Sequence, residues 1–295
     1  MIQRDSVWAF GRLGVREKGA ALLPYARTPV PSHFHFIAAF TVVLLAVAGC
    51  GSDPARGVLE GPGDPSVAVP FSPRTYVVQR AAEAPQVDGQ LTEAAWREAS
   101  WTEPFVDIQG AAQPAPRFRT RAKMLWDSTH FYVAAQLEEP DVWATLTERE
   151  SIIYYDNNFE VFIDPDGDTH AYYELEVNAL GTVWDLMLLK PYRDGGPALD
   201  AWDIRGLQVG VDIQGTLNDP RDTDEGWTVE IAMPWFILEE AAPGGNPPEA
   251  GDQWRLNFSR VEWQTVAENS TYRKVTDPNT GEPLASTILV VAEDD

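Results

Sequence analysis

The chain has 295 residues and carries 45 Asp and Glu against 22 Lys and Arg, which gives a formal net charge of −23. This acidity opposes binding to phosphate backbones and anionic headgroups, so nucleic acid is excluded as a partner. With 44% hydrophobic residues and 11 Trp, the chain can fill a large core, which argues against intrinsic disorder. Its single cysteine excludes an intrachain disulfide framework and a cysteine-based zinc site.

The N-terminal segment has the pattern of an export signal. Residues 34–48 form a long apolar run, shorter than the roughly 20 residues that a membrane-spanning helix needs. The run ends in the sequence VAG directly before Cys50, which resembles the lipobox of bacterial lipoproteins. This resemblance implies cleavage before Cys50 and lipid attachment to its sulfur. Residues 1–49 are therefore predicted to be a lipoprotein signal peptide with an unusually long N-terminal extension, and the protein is expected on the bacterial cell envelope.

The next segment separates this leader from a domain. Residues 50–73 are rich in Gly, Pro, Ser and Asp and have no hydrophobic period, which predicts a flexible tether. Residues 74–295 are the predicted domain. Loss of residues 1–49 removes five basic and two acidic residues, so the remaining chain has a net charge of −26.

Short runs with period-two alternation recur through this domain, bounded by turn-forming residues, as is typical of antiparallel strands. The predicted strands are 75–80, 117–126, 130–138, 158–164, 171–179, 182–189, 205–216, 226–233, 254–264 and, more weakly, 286–292. Two short helices are predicted at 92–99, with Thr92 as N-cap, and at 141–149. Because strands and helices do not alternate, the expected fold is all-β: a two-sheet antiparallel β-sandwich with two short helices.

The alternation also separates the two faces of each strand. In strand 158–164, Glu160 points away from the apolar side chains, and in strand 171–179 Glu174 and Glu176 do the same. A face of carboxylates and amides edged by aromatic rings suits a sugar, because hydroxyls both donate and accept hydrogen bonds and apolar sugar faces stack on rings. An ordinary solvated sheet face explains the same pattern.

Five motifs in chain order carry a family resemblance. They are VDGQLTEAAW at 87–96, KMLWDSTHFYV at 123–133, DNNFEVFID at 156–164, VNALG at 177–181 and GWTVEIAMPW at 226–235. Together they resemble the family 9 carbohydrate-binding modules over about residues 74–265, and in particular the single-domain lipoproteins of this kind. The resemblance implies a jelly-roll or DOMON-like sandwich that binds oligo- or polysaccharides, works beside glycoside hydrolases and often holds structural Ca²⁺.

The resemblance also implies roles for individual residues. Glu160 falls at the family's sugar-binding Glu, and Asn178 lies in the "V-N" that follows. Tyr154 falls where the family has its first stacking Trp, and Tyr155 beside it is expected to stack as well. Asp156 is expected to be a further acceptor.

One departure concerns charge. The family's binding Arg falls near Glu176, which reverses the charge and makes Glu176 a further predicted acceptor. Three cations on the polar side of strand 117–126 are candidates for the missing positive charge: Arg119, Arg121 and Lys123.

A second departure concerns the C-terminus. After Pro283 the sequence leaves the family's pattern, in which a Trp-rich segment supplies the second wall of the sugar clamp. A truncated or frameshifted end is expected on this basis, with Trp202 or Trp263 as the candidates for a substitute wall.

The sequence is also compatible with a metal site and with two other functions. Asp164, Asp166 and Asp168 alternate across a Pro-Gly turn, which suits Ca²⁺, although an acidic solvated turn gives the same spacing. Paired glutamates leave a glycoside hydrolase open as an alternative, and Met and His leave a haem-binding redox sandwich open. No catalytic motif accompanies the glutamates. The resemblance therefore implies a non-catalytic module that binds carbohydrate at the cell surface, as an accessory to xylan or glucan breakdown.

Overall fold

The computed structural model describes residues 74–242, 247–281, 283–284 and 287–291. The predicted signal peptide, the lipidation site Cys50 and the tether at 50–73 lie outside these residues. In the part that is described, no helix is both long enough and apolar enough to cross a membrane.

The described chain is built almost entirely from strands. They are β1 (Gln79–Arg80), β2 (Phe105–Asp107), β3 (Thr120–Trp126), β4 (His130–Glu138), β5 (Asn158–Asp164), β6 (Tyr172–Asn178), β7 (Val183–Leu188), β8 (Ala198–Leu199), β9 (Gln208–Gln214), β10 (Gly226–Pro234), β11 (Arg255–Glu262), β12 (Thr265–Glu268), β13 (Thr271–Lys274) and β14 (Thr287–Val291). The α-helix α1 spans Ala94–Glu98, and the 3-10 helices are Gly110–Ala112, Ile153–Tyr155, Tyr192–Asp194 and Trp235–Ala241.

Two sheets enclose the core. A five-stranded sheet has the order β1-β3-β4-β10-β9, and a seven-stranded sheet has the order β2-β14-β11-β5-β6-β7-β8. The β1–β3 pair is parallel, and the other pairs in the two sheets are antiparallel. The predicted all-β sandwich is confirmed. Strands β4 and β5 have the bounds that alternation predicts.

The core forms because alternate side chains of both sheets turn inward. Val133 on β4 and Ile231 on β10 contribute from the five-stranded sheet, and Phe159 and Phe258 from the seven-stranded sheet. The two phenylalanine rings stack with centroids 5.7 Å apart. Burial of this apolar surface stabilises the sandwich by roughly 25 cal/mol per Å².

Glu230 on β10 ties the opening motif to the outer face of the five-stranded sheet. Its Oε2 accepts the backbone N–H groups of Asp88 and Gly89 at 2.9 and 2.6 Å, and its Oε1 accepts the indole N–H of Trp96. Gly89 has φ +87°, and a Cβ there would overlap the backbone of Asp212, so this turn requires glycine. The opening motif therefore has a structural function: it packs over the apolar part of that face, where Trp96 is buried with Leu125, Tyr132 and Ala232.

The prediction of a helix at 141–149 is wrong, because this segment has no regular secondary structure and ends in a turn at 149–150. The N–H of Val142 donates to Asp224 Oδ2 at 2.7 Å, and the N–H groups after it are also taken by side chains from other segments. Asp156 Oδ2 alone accepts two of them. Donors engaged in this way are not available for i→i−4 bonds, so tertiary contacts override the local helical pattern.

Two further boundaries differ from the prediction. Helix α1 begins at Ala94, with Glu93 at the N-cap position and no side-chain cap bond, so Thr92 is not the cap. The weak alternation at 286–292 does form a strand, β14, which pairs with β2 on one side and β11 on the other. The divergent C-terminal residues therefore complete the seven-stranded sheet.

Candidate functional site

Polar residues stand in register on the outer face of the seven-stranded sheet. One row crosses β11, β5, β6 and β7 and consists of Ser259, Glu160, Glu176 and Trp184. Glu174 lies two residues from Glu176 and belongs to the next row of the same face. Because neighbouring strands are about 4.8 Å apart, the three glutamates form one cluster, which we call the glutamate face.

The glutamate face is closed to solvent. The side chains of Glu160, Glu174 and Glu176 are all fully buried. Asn158 Nδ2 donates to Glu160 Oε1 at 2.9 Å and to Glu176 Oε2 at 3.2 Å, so one amide group joins the two carboxyls. The hydroxyl of Ser259 donates to the other oxygen of Glu160.

Several buried polar atoms in this region lack partners. Glu174 Oε2 accepts the hydroxyl of Tyr192 at 3.0 Å, but Glu174 Oε1 and Glu176 Oε1 have no hydrogen-bond partner among the described residues. The same is true of Nδ2 of Asn257 on β11. A buried polar atom without a partner costs about 1–3 kcal/mol. The two glutamate oxygens therefore indicate a ligand that supplies donors, and Nδ2 of Asn257 indicates that it also supplies an acceptor.

Burial also changes the protonation of the cluster. It raises the pKa of Glu160 to about 7. It raises the pKa values of Glu174 and Glu176 well above the ordinary range, and the charge of Glu160 raises them further. The three carboxyls therefore share protons near neutral pH and offer both acceptors and a donor.

Aromatic rings border these carboxyls. Tyr154 lies with its ring 5.0 Å from Tyr155 and 6.2 Å from Trp184, the cross-strand neighbour of Glu176. The indole N–H of Trp263 donates to the carbonyl of Tyr154 at 2.8 Å. Tyr155 is half exposed. We call Tyr154, Tyr155, Trp184 and Trp263 the aromatic rim.

A lysine sits against this rim. Lys274 Nζ lies 3.7 Å from the ring centre of Trp263, 5.6 Å from Tyr155 and 5.9 Å from Trp143. These distances are those of cation–π contacts. Burial lowers the pKa of Lys274 to about 8, and the charge of Asp156 acts in the opposite direction. Lys274 ends β13, a strand that sequence analysis missed, and it supplies a positive charge beside the rim.

Comparison with known proteins identifies the family. Residues 87–280 match the family described as "Carbohydrate family 9 binding domain-like". The chain belongs to this family. A search of curated proteins gives no match.

Solved structures of family 9 modules resemble the chain. A candidate carbohydrate-binding protein from Bacteroides uniformis matches with a TM-score of 0.50 and 14% identity, over 75% of this chain and 89% of that one. A family 9 module from Caldicellulosiruptor kristjanssonii in complex with cellotriose matches with a TM-score of 0.44 and 15% identity, over 72% and 82% of the two chains. A complex of a family 9 module from the same organism with glucose matches with a TM-score of 0.44 and 16% identity, over 72% and 84%.

In this family 9 domain, two predicted binding residues are engaged inside the chain. Asn178 Nδ2 donates to Leu146 and to Asp156 Oδ2, and Asn178 Oδ1 accepts the N–H groups of Leu180 and Thr182. All four hydrogen-bonding positions of the Asn178 side chain are thus used. Asp156 also accepts several backbone and side-chain donors, so both residues position the strand ends beside the glutamate face.

The candidate cations lie elsewhere in the domain. Arg121 is on β3, in the five-stranded sheet, whereas Glu160 is on β5, in the seven-stranded sheet. Arg121 faces away from the core, and so does its neighbour Lys123, whose Nζ donates to the carbonyl of Trp96. The expectation that this strand supplies a cation to Glu160 is corrected by the topology, because the core separates the two faces.

The remaining candidates, one tryptophan for the sugar clamp and three methionines for a haem, lie in or against the core. Trp202 stacks on Tyr173 with ring centroids 4.7 Å apart and packs against the main core, so Trp263 is the candidate wall that joins the rim. The methionines considered as haem ligands are buried in the same core: Met124, Met187 and Met233.

The acidic turn after β5 brings three carboxylates together. Asp164, Asp166 and Asp168 each offer an oxygen within 4.8 Å of the others. Asp164 also accepts the N–H of Gly167 at 3.0 Å, which fixes the turn. The donor set contains only oxygen and fits a hard divalent cation such as Ca²⁺. Arg255 donates to the carbonyl of Gly167 and brings a positive charge to the edge of the turn.

Proposed function

We propose that this domain binds an oligo- or polysaccharide of the xylan or glucan type at the glutamate face. The observation that carries the proposal is the pair of buried, unpartnered oxygens, Oε1 of Glu174 and Oε1 of Glu176. Sugar hydroxyls are the donors that such oxygens require, and membership of the carbohydrate family 9 binding domain-like family supports this choice.

The residues around these oxygens have complementary functions in the proposal. Glu160 and Glu176 accept hydrogen bonds from sugar hydroxyls, and Asn158 keeps their carboxyl groups in place. Tyr154, Tyr155 and Trp263 provide apolar surfaces on which a sugar ring stacks. Because the glutamates are fully buried, binding requires the side chains that cover them to move aside.

Binding is favoured over hydrolysis by the arrangement of the carboxyls. A glycosidase places one carboxyl on each side of the scissile bond, with the two groups about 5–9.5 Å apart. Here Glu160 and Glu176 are directly opposed on adjacent strands and project from the same face. Side-by-side carboxyls contact one side of a sugar, which is the requirement for binding.

We further propose a cellular setting and a cation. The sequence VAGC ending at Cys50 supports a lipid anchor on the cell envelope, where the domain assists glycoside hydrolases by holding their substrate. Replacement of Cys50 by Ala is then expected to move the protein from the membrane fraction to the soluble fraction. The oxygen-only donor set at Asp164, Asp166 and Asp168 supports a structural Ca²⁺ site.

Titration calorimetry of the purified protein with cellotriose and with xylotriose, in the presence of Ca²⁺, tests the binding function. Glu160→Ala is expected to weaken binding by about 1–3 kcal/mol, because it leaves sugar donors unpaired. Glu103→Ala removes an exposed carboxyl and serves as the control that keeps full affinity. Absence of heat with both sugars, from folded protein, contradicts the proposal.

A further inference from the structure

The five-stranded sheet carries a groove on its outer face, on the opposite side of the sandwich from the glutamate face. We propose that this groove binds a saccharide that bears a carboxylate, a uronic acid, and that Arg121 pairs with this carboxylate. The groove and the glutamate face use different sheets, so the two sites are independent.

The floor of the groove is a polar row across four strands. In register, Arg121 on β3, Gln136 on β4, Thr228 on β10 and Asp212 on β9 are successive neighbours. With strands about 4.8 Å apart, this row presents hydrogen-bonding groups at regular intervals. Such a row matches the spaced hydroxyls of a sugar chain.

The walls of the groove come from the segment that covers the rest of the sheet. Glu230 on β10 holds this segment against the sheet. Glu230 is two residues from Thr228, which belongs to the polar row, so the segment ends beside that row. Gln90, Thr92 and the partly buried ring of Trp101 line the groove together with the floor. The groove has a volume of about 630 Å³ and is open to solvent on one side. An aromatic wall over a polar floor provides both stacking and hydrogen bonds.

Arg121 forms no salt bridge with a carboxylate in the described part of the chain, although its pKa, which burial lowers, is raised by the charge of Glu138. Its Nε and Nη2 donate to Gln136 Oε1 at 3.1 and 2.7 Å, and its guanidinium carbon lies 4.0 Å from the ring centre of Trp101. Glu138, on the neighbouring strand β4, pairs with Arg119 instead: Glu138 Oε1 lies 2.7 Å from Arg119 Nη2. The Nη1 group of Arg121 therefore remains available to an acceptor from outside.

A second cation reinforces the charge of this position. Lys123 Nζ lies 4.4 Å from the same ring of Trp101 and, like Arg121, forms no ion pair with a described carboxylate. Burial lowers the pKa of Arg121, and the neighbouring charge of Arg119 lowers it further. In a chain with a net charge of −23, two unpaired cations on one ring favour an anionic group.

The remaining charges define what kind of anion fits. Three carboxylates, Glu138, Asp212 and Glu225, also line the groove and repel a polyanion, although Glu138 is paired with Arg119. A ligand with a single carboxylate and several hydroxyls satisfies both ends of the floor: the carboxylate pairs with Arg121, and the hydroxyls meet the amide of Gln136 and the carboxylate of Asp212. A uronic acid within a sugar chain has this composition.

The test compares two oligosaccharides that differ in one acid. The probes are xylotriose carrying a 4-O-methylglucuronic acid and unsubstituted xylotriose, titrated into the whole protein at low and at physiological salt. The acidic probe is expected to bind, and Arg121→Gln is expected to weaken its binding about tenfold or more and to remove most of its salt dependence. Gln136→Ala, on another strand, is expected to weaken the same probe.

Variants at the glutamate face separate this proposal from the first. Glu160→Gln is expected to weaken the binding of cellotriose and of unsubstituted xylotriose, and to leave the salt-dependent part of the acidic probe's binding, which depends on Arg121, unchanged. If Glu160→Gln weakens the acidic probe and Arg121→Gln does not, the acid binds at the glutamate face and the groove proposal is overturned. It is overturned equally if the acidic probe fails to bind folded protein, or if both probes bind with the same affinity and the same response to Arg121→Gln.

Discussion

Glu160 and Glu176 stand directly opposite each other on β5 and β6, and both side chains are fully buried. Like charges in directly opposed cross-strand positions repel, and burial adds the loss of hydration. Only one amide, that of Asn158, donates to both carboxyls. The pair therefore lowers the stability of the fold, as is common where a site is arranged for a ligand.

The first prediction follows from the pKa of Glu160, which burial raises to about 7. An unfolded Glu titrates near 4.3, so between about pH 4 and pH 7 the folded state binds more protons than the unfolded state. The contribution of Glu160 to the free energy of unfolding is thus most favourable at low pH, and it becomes less favourable as the pH rises to about 7. Glu160→Gln cannot ionise, so its free energy of unfolding is expected to rise relative to that of the unsubstituted protein, by up to about 3 kcal/mol, as the pH increases over this range.

Thermal unfolding between pH 4.5 and pH 8 measures this difference. Glu103→Gln, which removes an exposed carboxyl, is the matched control and is expected to show no such trend. A difference between Glu160→Gln and the unsubstituted protein that stays constant with pH contradicts the raised pKa of Glu160.

The glutamate pair also shows what could be predicted from the sequence. Period-two alternation places Glu160 and Glu176 on the outward side of their strands, and the structure has them there because a strand with one buried face has its facing fixed. Alternation does not give strand order. β3 lies beside β4, whereas β5 lies in the other sheet, so the pattern of polar residues alone does not show that Arg121 and Glu160 are on opposite sides of the sandwich.

Other parts of the site depend on contacts between distant segments. Lys274 lies on β13, which pairs with β12 in a hairpin of mostly polar and exposed residues without an apolar pattern. The segment 141–149 has a helical pattern in isolation, but it forms no helix, because the side chains of Asp156, Asn218 and Asp224 accept its backbone N–H groups. Single-sequence patterns carry no information about such partners.

The second prediction concerns Lys274, whose pKa burial lowers to about 8. Residues 74–295 contain three lysines, Lys123, Lys190 and Lys274, so reductive methylation with ¹³C-formaldehyde gives few signals to resolve. The Lys274 dimethylamine signal, assigned from its loss in Lys274→Met, is expected to titrate with a midpoint near pH 8. A midpoint above pH 10 contradicts burial of this amine among the rings.

The third prediction concerns the structural function of Asp156. Its carboxylate accepts the N–H groups of Thr145 and Leu146 at 2.7 and 2.8 Å and the amide of Asn178 at 3.0 Å. Asp156→Ala leaves these donors unpaired, so the free energy of unfolding is expected to fall by about 3 kcal/mol or more in urea denaturation. Thr145→Val removes only the hydroxyl bond and is expected to cost about 1 kcal/mol. Equal losses for the two variants contradict the central position of Asp156.

The last prediction tests the proposed Ca²⁺ site at Asp164, Asp166 and Asp168. A cation that binds only the folded state stabilises it by about 2.7 kcal/mol when its free concentration is 100 times its Kd. Ca²⁺ added after treatment with a chelator is therefore expected to raise Tm by several degrees, and Asp166→Asn is expected to abolish the shift. Asp277→Asn is the matched control, because Asp277 accepts a backbone N–H two residues on, as Asp166 does, without two further carboxylates beside it. A Ca²⁺ shift that survives Asp166→Asn moves the site away from this turn, and no shift at all leaves the three aspartates as a turn held by its backbone hydrogen bonds.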